Sequence, residues 1–197
     1  PTSDDVVNKI LVAIEEKLKT CSFASKETDL DIEAKVLGRI SRLKQEVISP
    51  WDGLSLLMPS SWPSEINKEE KSLVSRVTGY EEAMLFLNCD EIKIPSETKI
   101  TSDYMQHIAS SIGTDESVKD ISLLSTGKDT YLISCNKAEI DQEAGVTLNN
   151  YFWHIFALKE DILKRLHFTY VFPNINDMFL SSIINVLNEN IKNLKLD

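Results

Sequence analysis

The chain has 197 residues, a hydrophobic content of 42%, a charged content of 26% and a formal net charge of -10. The first two values are ordinary for a globular protein and exclude a chain that is disordered throughout. The acidic balance argues against a nucleic-acid or anionic-membrane partner, because phosphate binding depends on clustered Lys and Arg. An acidic surface usually serves solubility, and it can also steer a basic protein partner.

The cysteines and the first residues of the chain are informative about the cellular compartment. Cys21, Cys89 and Cys135 are far apart and form no CxxC pair, which predicts buried structural thiols rather than a zinc or redox motif. An odd count fits poorly with a disulfide-stapled secreted domain. The chain begins Pro1-Thr2-Ser3 and has no stretch of 18 apolar residues, so we predict a cytoplasmic protein with no membrane span. A leader removed from the chain stays an open alternative.

Two amphipathic helices are predicted at the start of the chain. The first places apolar residues at helical spacing at Val6, Val7, Ile10, Leu11, Ile14 and Leu18. The second does so at Ile32, Val36, Ile40, Leu43 and Val47, after a Thr28/Asp31 pattern that resembles a capping box. Two such helices cannot enclose a core, so we expect them to dock on the rest of the chain; the alternative is a homodimer through these helices.

A change of pattern near residue 49 predicts two domains, 1–49 and 50–197. Ser49-Pro50 ends the helical hairpin, because proline disfavours helix in the residue before it. Later residues form short β-type runs separated by turn residues, with predicted strands at 54–58, 72–79, 82–94, 119–125 and 130–135. A helix at 102–112 stops at Gly113, and a last helix follows the N-capping loop at 174–177. Residues 126–129 predict a β-turn in which Gly127 is able to take a positive φ.

Residues 151–172 predict an aromatic-rich hairpin. With Glu160 and Asp161 at the centre of its turn, the paired positions sum to 321, and opposite residues share a face of the sheet. The first face, which we predict to be core, carries Tyr151 with Tyr170, Trp153 with Phe168, and Ile155 with Leu166. The second face is mixed and carries Phe152 with Thr169, His154 with His167, and Phe156 with Arg165.

The order of elements predicts the fold class. Strands joined by hairpins imply a mainly antiparallel sheet, and two helices with apolar faces must cover it. We therefore predict an α+β fold with helices flanking the sheet and a helical hairpin at the N-terminus.

Residues 50–197 resemble the PsbP-like superfamily, whose relatives include Mog-type Ran-binding proteins, DcrB-type bacterial proteins and chaperones of type VI secretion effectors. The matching features are the DGLSLLMPSSW opening at 52–62, the helix before Gly113, the hairpin end HFTYVFP at 167–173 and the closing helix from 178. The N-terminal helices have no counterpart in this resemblance. It implies a sandwich fold and a non-catalytic binding role, and it names neither a partner nor binding residues.

Two patterns that suggest chemistry have simpler explanations. His154 and His167 face each other and supply two of the three or four ligands that a metal needs, but no third is evident, so we predict no metal site. The STGKDT run at 125–130 resembles the end of a phosphate-binding loop, yet Ser122 stands where that loop needs glycine, and a hairpin turn fits better. No residue matches a nucleophile signature, and we predict neither a catalytic residue nor a cofactor.

The candidate surface therefore consists of side chains on the mixed face of the hairpin together with one loop tryptophan: Phe152, His154, Phe156, His167 and Trp62. Trp62 precedes Pro63 and either binds a partner or covers one end of the core. We predict a non-catalytic protein that binds another protein as a chaperone, adaptor or immunity-type partner. A small-ligand or metal carrier on the same face is the alternative, and an enzyme of unrecognised type is the second alternative.

Overall fold

The computed structural model describes residues 34–142, 145–174 and 177–196. The chain consists of two compact units, Pro1–Arg42 and Leu43–Asp197. In the first unit residues 34–41 are helical (α1), within the predicted second helix. The predicted first helix, the pairing of the two helices and a dimer through them lie outside the described residues.

The second unit is an α+β structure with antiparallel sheets. Its strands are β1 (Gln45–Ile48), β2 (Leu54–Pro59), β3 (Ser64–Asn67), β4 (Ser72–Val77), β5 (Tyr80–Lys93), β6 (Val118–Gly127), β7 (Thr130–Asp141), β8 (Val146–Lys159), β9 (Ile162–Pro173) and β10 (Lys195–Leu196). Its helices are α2 (Ser102–Ile112) and α3 (Met178–Lys192). One sheet has the order β3-β4-β5-β9-β8-β7-β6, and a smaller one has the order β1-β2-β10.

The β8–β9 hairpin has the predicted register. Lys159 pairs with Ile162 across a two-residue turn, and Glu160 takes a left-handed conformation with φ 57°. All six predicted pairs are present: Tyr151 with Tyr170, Phe152 with Thr169, Trp153 with Phe168, His154 with His167, Ile155 with Leu166, and Phe156 with Arg165. The assignment of side chains to the two faces is therefore confirmed.

The first face of the large sheet is the main core, and α3 covers it. Trp153, Phe168 and Tyr170 are at most 1% exposed. Polar atoms in this layer are paired with α3: the Trp153 Nε1–H donates to Asn188 Oδ1 at 2.7 Å, and the Tyr170 hydroxyl donates to the Leu180 carbonyl at 3.4 Å. Such bonds remove the cost of burying an indole N–H and a phenol hydroxyl.

The second face is covered at one end by α2. Met105 and Ala109 of α2 pack with Ile100 and Ile133 in a small core. Partly buried apolar side chains surround that core: Ile108, Ile112, Ile121, Leu123, Tyr131, Phe156, Leu158 and Leu163. A helix thus packs on each face of the sheet, and α2 covers only part of the second face. None of the helices in the described segments is both long and apolar enough to cross a membrane.

Two local predictions are wrong, each for an identifiable reason. The predicted second helix reaches Val47, but residues 45–48 form β1, and Val47 pairs with Leu57 and is 68% exposed. Pairing with β2 outweighs the helical spacing of the apolar residues. In the β6–β7 turn it is Asp129, with φ 54°, and not Gly127, that is left-handed. The turn consists of Lys128 and Asp129, and aspartate tolerates this conformation.

Several strands extend into the polar segments between the strands that the sequence predicts. β3 follows Pro63 in the predicted loop and pairs with β4. β7 and β8 extend into the segment between the predicted strand at 130–135 and the predicted hairpin at 151–172, where Ala138 pairs with Asn149. Main-chain hydrogen bonds hold such ladders, so polar side chains continue a strand once its neighbour is in place.

Truncating a side chain should destabilise the protein more on the first face of the hairpin than on the second. We expect Phe168→Ala to lower the free energy of unfolding by about 3–5 kcal/mol, because it leaves a cavity in the main core. We expect Phe152→Ala, on the half-buried side of the same hairpin, to cost only about 1–2 kcal/mol. Urea unfolding followed by circular dichroism measures both values, and equal losses would contradict the assignment of faces.

Candidate functional site

The structure brings together three of the five candidate residues. Phe152, His154 and His167 are half-buried neighbours on the second face of the sheet. Phe156 lies on the same face but packs against the core beneath α2. Trp62 is only 5% exposed, in the loop between β2 and β3, and so it fills the core instead of facing a partner. Trp62 is therefore not part of an accessible surface, and Phe156, although half-buried like Phe152, belongs to the part of the face that packs with α2.

His154 and His167 form a directly hydrogen-bonded pair. Their Nδ1 atoms lie 2.7 Å apart, and their ring planes meet at 75°. One Nδ1 must donate and the other must accept, so the contact requires at least one neutral imidazole. The ring of Phe152 stacks nearly parallel to that of His154, at a centroid distance of 6.2 Å. The pair and the phenylalanine are thus held in one orientation.

Charged side chains lie on one side of this pair. Arg165 donates to Asp90 Oδ2 at 3.0 Å, and His167 Nε2 lies 3.8 Å from the same oxygen. The carboxylate favours a proton on Nε2 of His167, which leaves its Nδ1 to accept from the Nδ1–H of His154. This arrangement connects Asp90 to His154 through the His167 ring.

Burial keeps both imidazoles neutral. Desolvation, followed by the effect of His167, lowers the pKa of His154 from its ordinary 6.5 to about 4. Desolvation and the neighbouring Arg165 also lower the pKa of His167, and Asp90 opposes this change. At neutral pH the pair therefore adds hydrogen bonding to the face without adding charge.

The histidine geometry is that of a hydrogen bond. Two nitrogens bound to one tetrahedral zinc lie about 3.3 Å apart, since each Zn–N bond is about 2.0–2.1 Å. The Nδ1 atoms of His154 and His167 are closer than this. Across the described segments, no three His, Cys, Asp or Glu side chains converge as metal ligands. A metal held here would need the two rings to separate and a further ligand to arrive.

The surface beside the histidine pair is a patch of five apolar side chains and one threonine that we call the open face. Val74 lies opposite Phe86, Phe86 opposite Thr169, and Thr169 opposite Phe152, in one row across four strands. Met84 and Val171 pair in the next row. All six side chains are only half-buried, whereas those that alternate with them on β4, β5 and β9 are buried. The open face therefore contains Val74, Met84, Phe86, Phe152, Thr169 and Val171.

The sequence predicted only part of the open face. Val74, Met84 and Phe86 belong to strands that were predicted, but their partner β9 is distant in the sequence. Period-two alternation within 72–77 and 82–88 could have shown which residues share a face. It could not have shown that β5 pairs with β9, which places Phe86 next to Thr169 and Phe152.

Two cationic side chains around the open face are engaged by acidic neighbours. Arg76 contacts Glu65 at 2.6 Å, and Lys137 contacts both Asp115 at 3.3 Å and Glu139 at 2.8 Å. The open face itself carries no charged residue. It therefore suits an apolar contact surface with a polar rim, which is the usual composition of a protein interface.

The edges of the large sheet suit strand addition less well. β3 has only four residues, all exposed. β6 is longer, but its register shifts between Lys119 and Ser122 and again between Ser125 and Gly127. Short or irregular edge strands hinder pairing with another chain. The open face is therefore the stronger candidate for an interaction surface.

Comparison with known proteins gives little guidance. No family model matches the chain, and no curated protein matches it. Among solved structures, it is similar to a crystal structure from Bacteroides thetaiotaomicron VPI-5482, with 14% sequence identity and a TM-score of 0.48. The similarity covers 78% of this chain and 48% of that chain, so this chain spans about half the length of that neighbour. The side chains of this protein therefore carry the functional inference.

The histidine pair predicts a loss of stability in acid. The pKa of His154 is about 4 in the folded state and 6.5 ordinarily, so the unfolded state binds more protons between these values. The free energy of unfolding then falls as the pH is lowered from about 6.5 to about 4, by at most about 3 kcal/mol from this residue. His154→Gln should reduce that fall, as measured by urea unfolding at several pH values.

The matched control is His107→Gln, the same substitution at an exposed position of α2. It should keep the wild-type pH profile. If His154→Gln and His107→Gln changed the profile equally, the histidine pair would not be the cause.

Proposed function

We propose that this chain is a non-catalytic binding protein that holds another protein on the open face of its sheet. The observation that carries the proposal is the row Val74, Phe86, Thr169 and Phe152, which is uncharged, mainly apolar and only half-buried and crosses four strands. Contiguous apolar surface that a fold leaves accessible is a common mark of an interaction site.

Two phenylalanines are the expected anchors. Phe86 and Phe152 lie on either side of Thr169 in the row, so a partner side chain can contact both rings. Aromatic residues near the centre of an interface supply much of the binding energy, and a polar rim excludes water around them. His154 and His167 lie along one edge of the row and would supply such a rim as neutral hydrogen-bonding groups.

An unsatisfied polar group adjoins the open face. Asn150 pairs with Val171 and is 7% exposed, and its amide nitrogen has no hydrogen-bond partner among the described residues. A buried donor without an acceptor costs free energy. A carbonyl group of a bound partner would satisfy it after a small movement of the side chain.

The finer role that we propose is that of a chaperone, adaptor or immunity-type partner. It is supported by the PsbP-like resemblance of residues 50–197 and by a net charge of -10, which favours a basic partner. We also propose a cytoplasmic location. Cys89 and Cys135 are buried free thiols, as expected in a reducing compartment.

The alternatives use the same region in different ways. A small-ligand or metal carrier would use Phe152, His154 and His167, and it would bind its ligand without a protein partner. An enzyme would need a reactive group with a suitable pKa beside a cleft. Addition of zinc separates the metal alternative from the main proposal, because zinc bound by His154 and His167 would raise the melting temperature and His154→Gln would abolish that rise.

The main proposal is tested by capture from a native lysate with three forms of the protein. We expect the wild type to retain one protein stoichiometrically and Phe152→Asp to lose it, because the substitution replaces one of the two aromatic anchors of the row by a charge. The control is Ile140→Asp, which makes the same type of change at a side chain of β7 that is 72% exposed and lies outside the open face. Mass spectrometry identifies the retained protein.

Each outcome of the capture experiment either supports or contradicts binding at the open face. Loss with Phe152→Asp and retention with Ile140→Asp assigns binding to the open face. Equal retention by both variants, or equal loss, contradicts that assignment. Circular dichroism shows whether Phe152→Asp is folded, and Phe86→Asp provides a second variant of the same surface if it is not. A wild type that retains no protein contradicts the binding role.

A further inference from the structure

A second site lies on the opposite face of the large sheet, beside α3. A cavity of about 170 Å³ opens there between β6, β7, β8 and the helix. Its wall is about half polar, and the residues that line it are Asp120, Ser134, Cys135, Asn136, Tyr151, Trp153 and Asn188. The side chains of the open face do not contribute to it, so it is independent of the proposed function.

A bulge in β6 places the carboxylate at this cavity. Lys119 pairs with Asn136 and Ser122 with Ser134, so Asp120 and Ile121 together lie opposite Cys135. Asp120 is left-handed, with φ 53°. Ile121 packs against the core beneath α2, and Asp120 instead reaches Asn136 on the first face. Non-glycine residues in this conformation often lie at functional sites.

Several polar groups at the cavity have hydrogen-bonding capacity left over. Asn136 Nδ2 donates to Asp120 Oδ2 at 2.7 Å, and Trp153 Nε1 donates to Asn188 Oδ1 at 2.7 Å. No ion pair connects Asp120 to any described cationic residue, and the Tyr151 hydroxyl has no hydrogen-bond partner in the described part of the chain. The cavity thus presents a carboxylate, a phenol oxygen and amide oxygens as acceptors.

The surroundings favour a positively charged ligand over a neutral or negative one. None of the lining residues is Lys, Arg or His, and the whole chain carries a net charge of -10. The rings of Tyr151 and Trp153 lie side by side, with centroids 6.3 Å apart. Trp153 is only 1% exposed, so the half-buried Tyr151 is the ring that a cation held by Asp120 can contact, and aromatic rings attract cations. Burial and the charge of Asp120 raise the pKa of Tyr151, so its hydroxyl remains neutral.

We propose that this cavity, which we call the Asp120 pocket, binds an ammonium group from a free amine or from the lysine side chain of a partner protein. The ammonium donates to Asp120 and to the neighbouring acceptors. At about 170 Å³ the pocket is smaller than the roughly 300–1,000 Å³ typical of drug-sized ligands, so it accepts the end of a molecule.

The test is a titration followed by two-dimensional ¹H–¹⁵N NMR, read at the indole N–H of Trp153. The first probe is methylammonium chloride, with sodium chloride used to hold the ionic strength constant, because screening weakens such binding. We expect a saturable shift of this resonance. The second probe, Nα-acetyl-lysine amide, distinguishes the sources: a similar shift indicates a partner lysine, and no shift indicates a free amine.

Asp120→Asn should weaken methylammonium binding about tenfold or more, since it removes the charge and keeps a residue that tolerates positive φ. Asp129→Asn is the matched control, because Asp129 is also left-handed, with φ 54°, and lies in the β6–β7 turn outside the pocket. This control should leave the affinity unchanged. If Asp120→Asn does not fold, Tyr151→Phe removes one acceptor and should weaken binding several-fold.

Four results would overturn the proposal. They are the absence of a saturable shift below about 100 mM methylammonium, an affinity unchanged in Asp120→Asn, an equal loss in Asp129→Asn, and the same shift produced by glycerol. The last result would identify a site for neutral polar ligands.

Discussion

The two-residue turn between β8 and β9 determines which side chains of this sheet face each helix. Side chains on a strand alternate between faces, so a turn longer or shorter by one residue would exchange the two sets. Glu160 closes the turn in a left-handed conformation, and Lys159 pairs with Ile162. With this register, Trp153 and Phe168 lie beneath α3, while Phe152 and His154 lie on the other face. The main core, the histidine pair and the open face all depend on it.

The second face is divided because α2 covers only part of it. Phe156 packs with the core under the helix, and Phe152 lies beyond that core. His154 and His167 occupy the position between these regions, where a charged pair would be costly to desolvate. Their hydrogen bond satisfies two ring nitrogens while both rings remain neutral. The division therefore leaves an apolar row with a polar border, which a fully covered sheet would not offer.

The bulge in β6 connects the packing of one face to the chemistry of the other. Two adjacent residues lie opposite a single residue, so Ile121 and Asp120 can serve different faces. Ile121 contributes to the core beneath α2, while Asp120 accepts a hydrogen bond from Asn136 at the edge of a cavity. The same irregularity hinders pairing of β6 with another chain. One extra residue thus affects packing, edge protection and a candidate binding pocket.

The sequence by itself predicted the local elements and the parity of the central hairpin. Alternating apolar residues and a charged turn were enough to pair His154 with His167, and the helix at 102–112 matches α2. Helical spacing failed at Val47, because a strand partner decides the conformation of so short a segment. The sequence could not show that Trp62 is buried or that Phe156 packs with α2, since burial depends on which elements pack over a residue.

Only the tertiary structure decided the composition of both candidate sites. The open face requires β5 to pair with β9, which brings Phe86 next to Thr169 from more than eighty positions away along the chain. The Asp120 pocket requires a bulge and the packing of α3 against the first face. Local patterns report alternation and turns, whereas the order of strands is set by which apolar faces can be buried together. That order is a property of the whole chain, and no local pattern determines it.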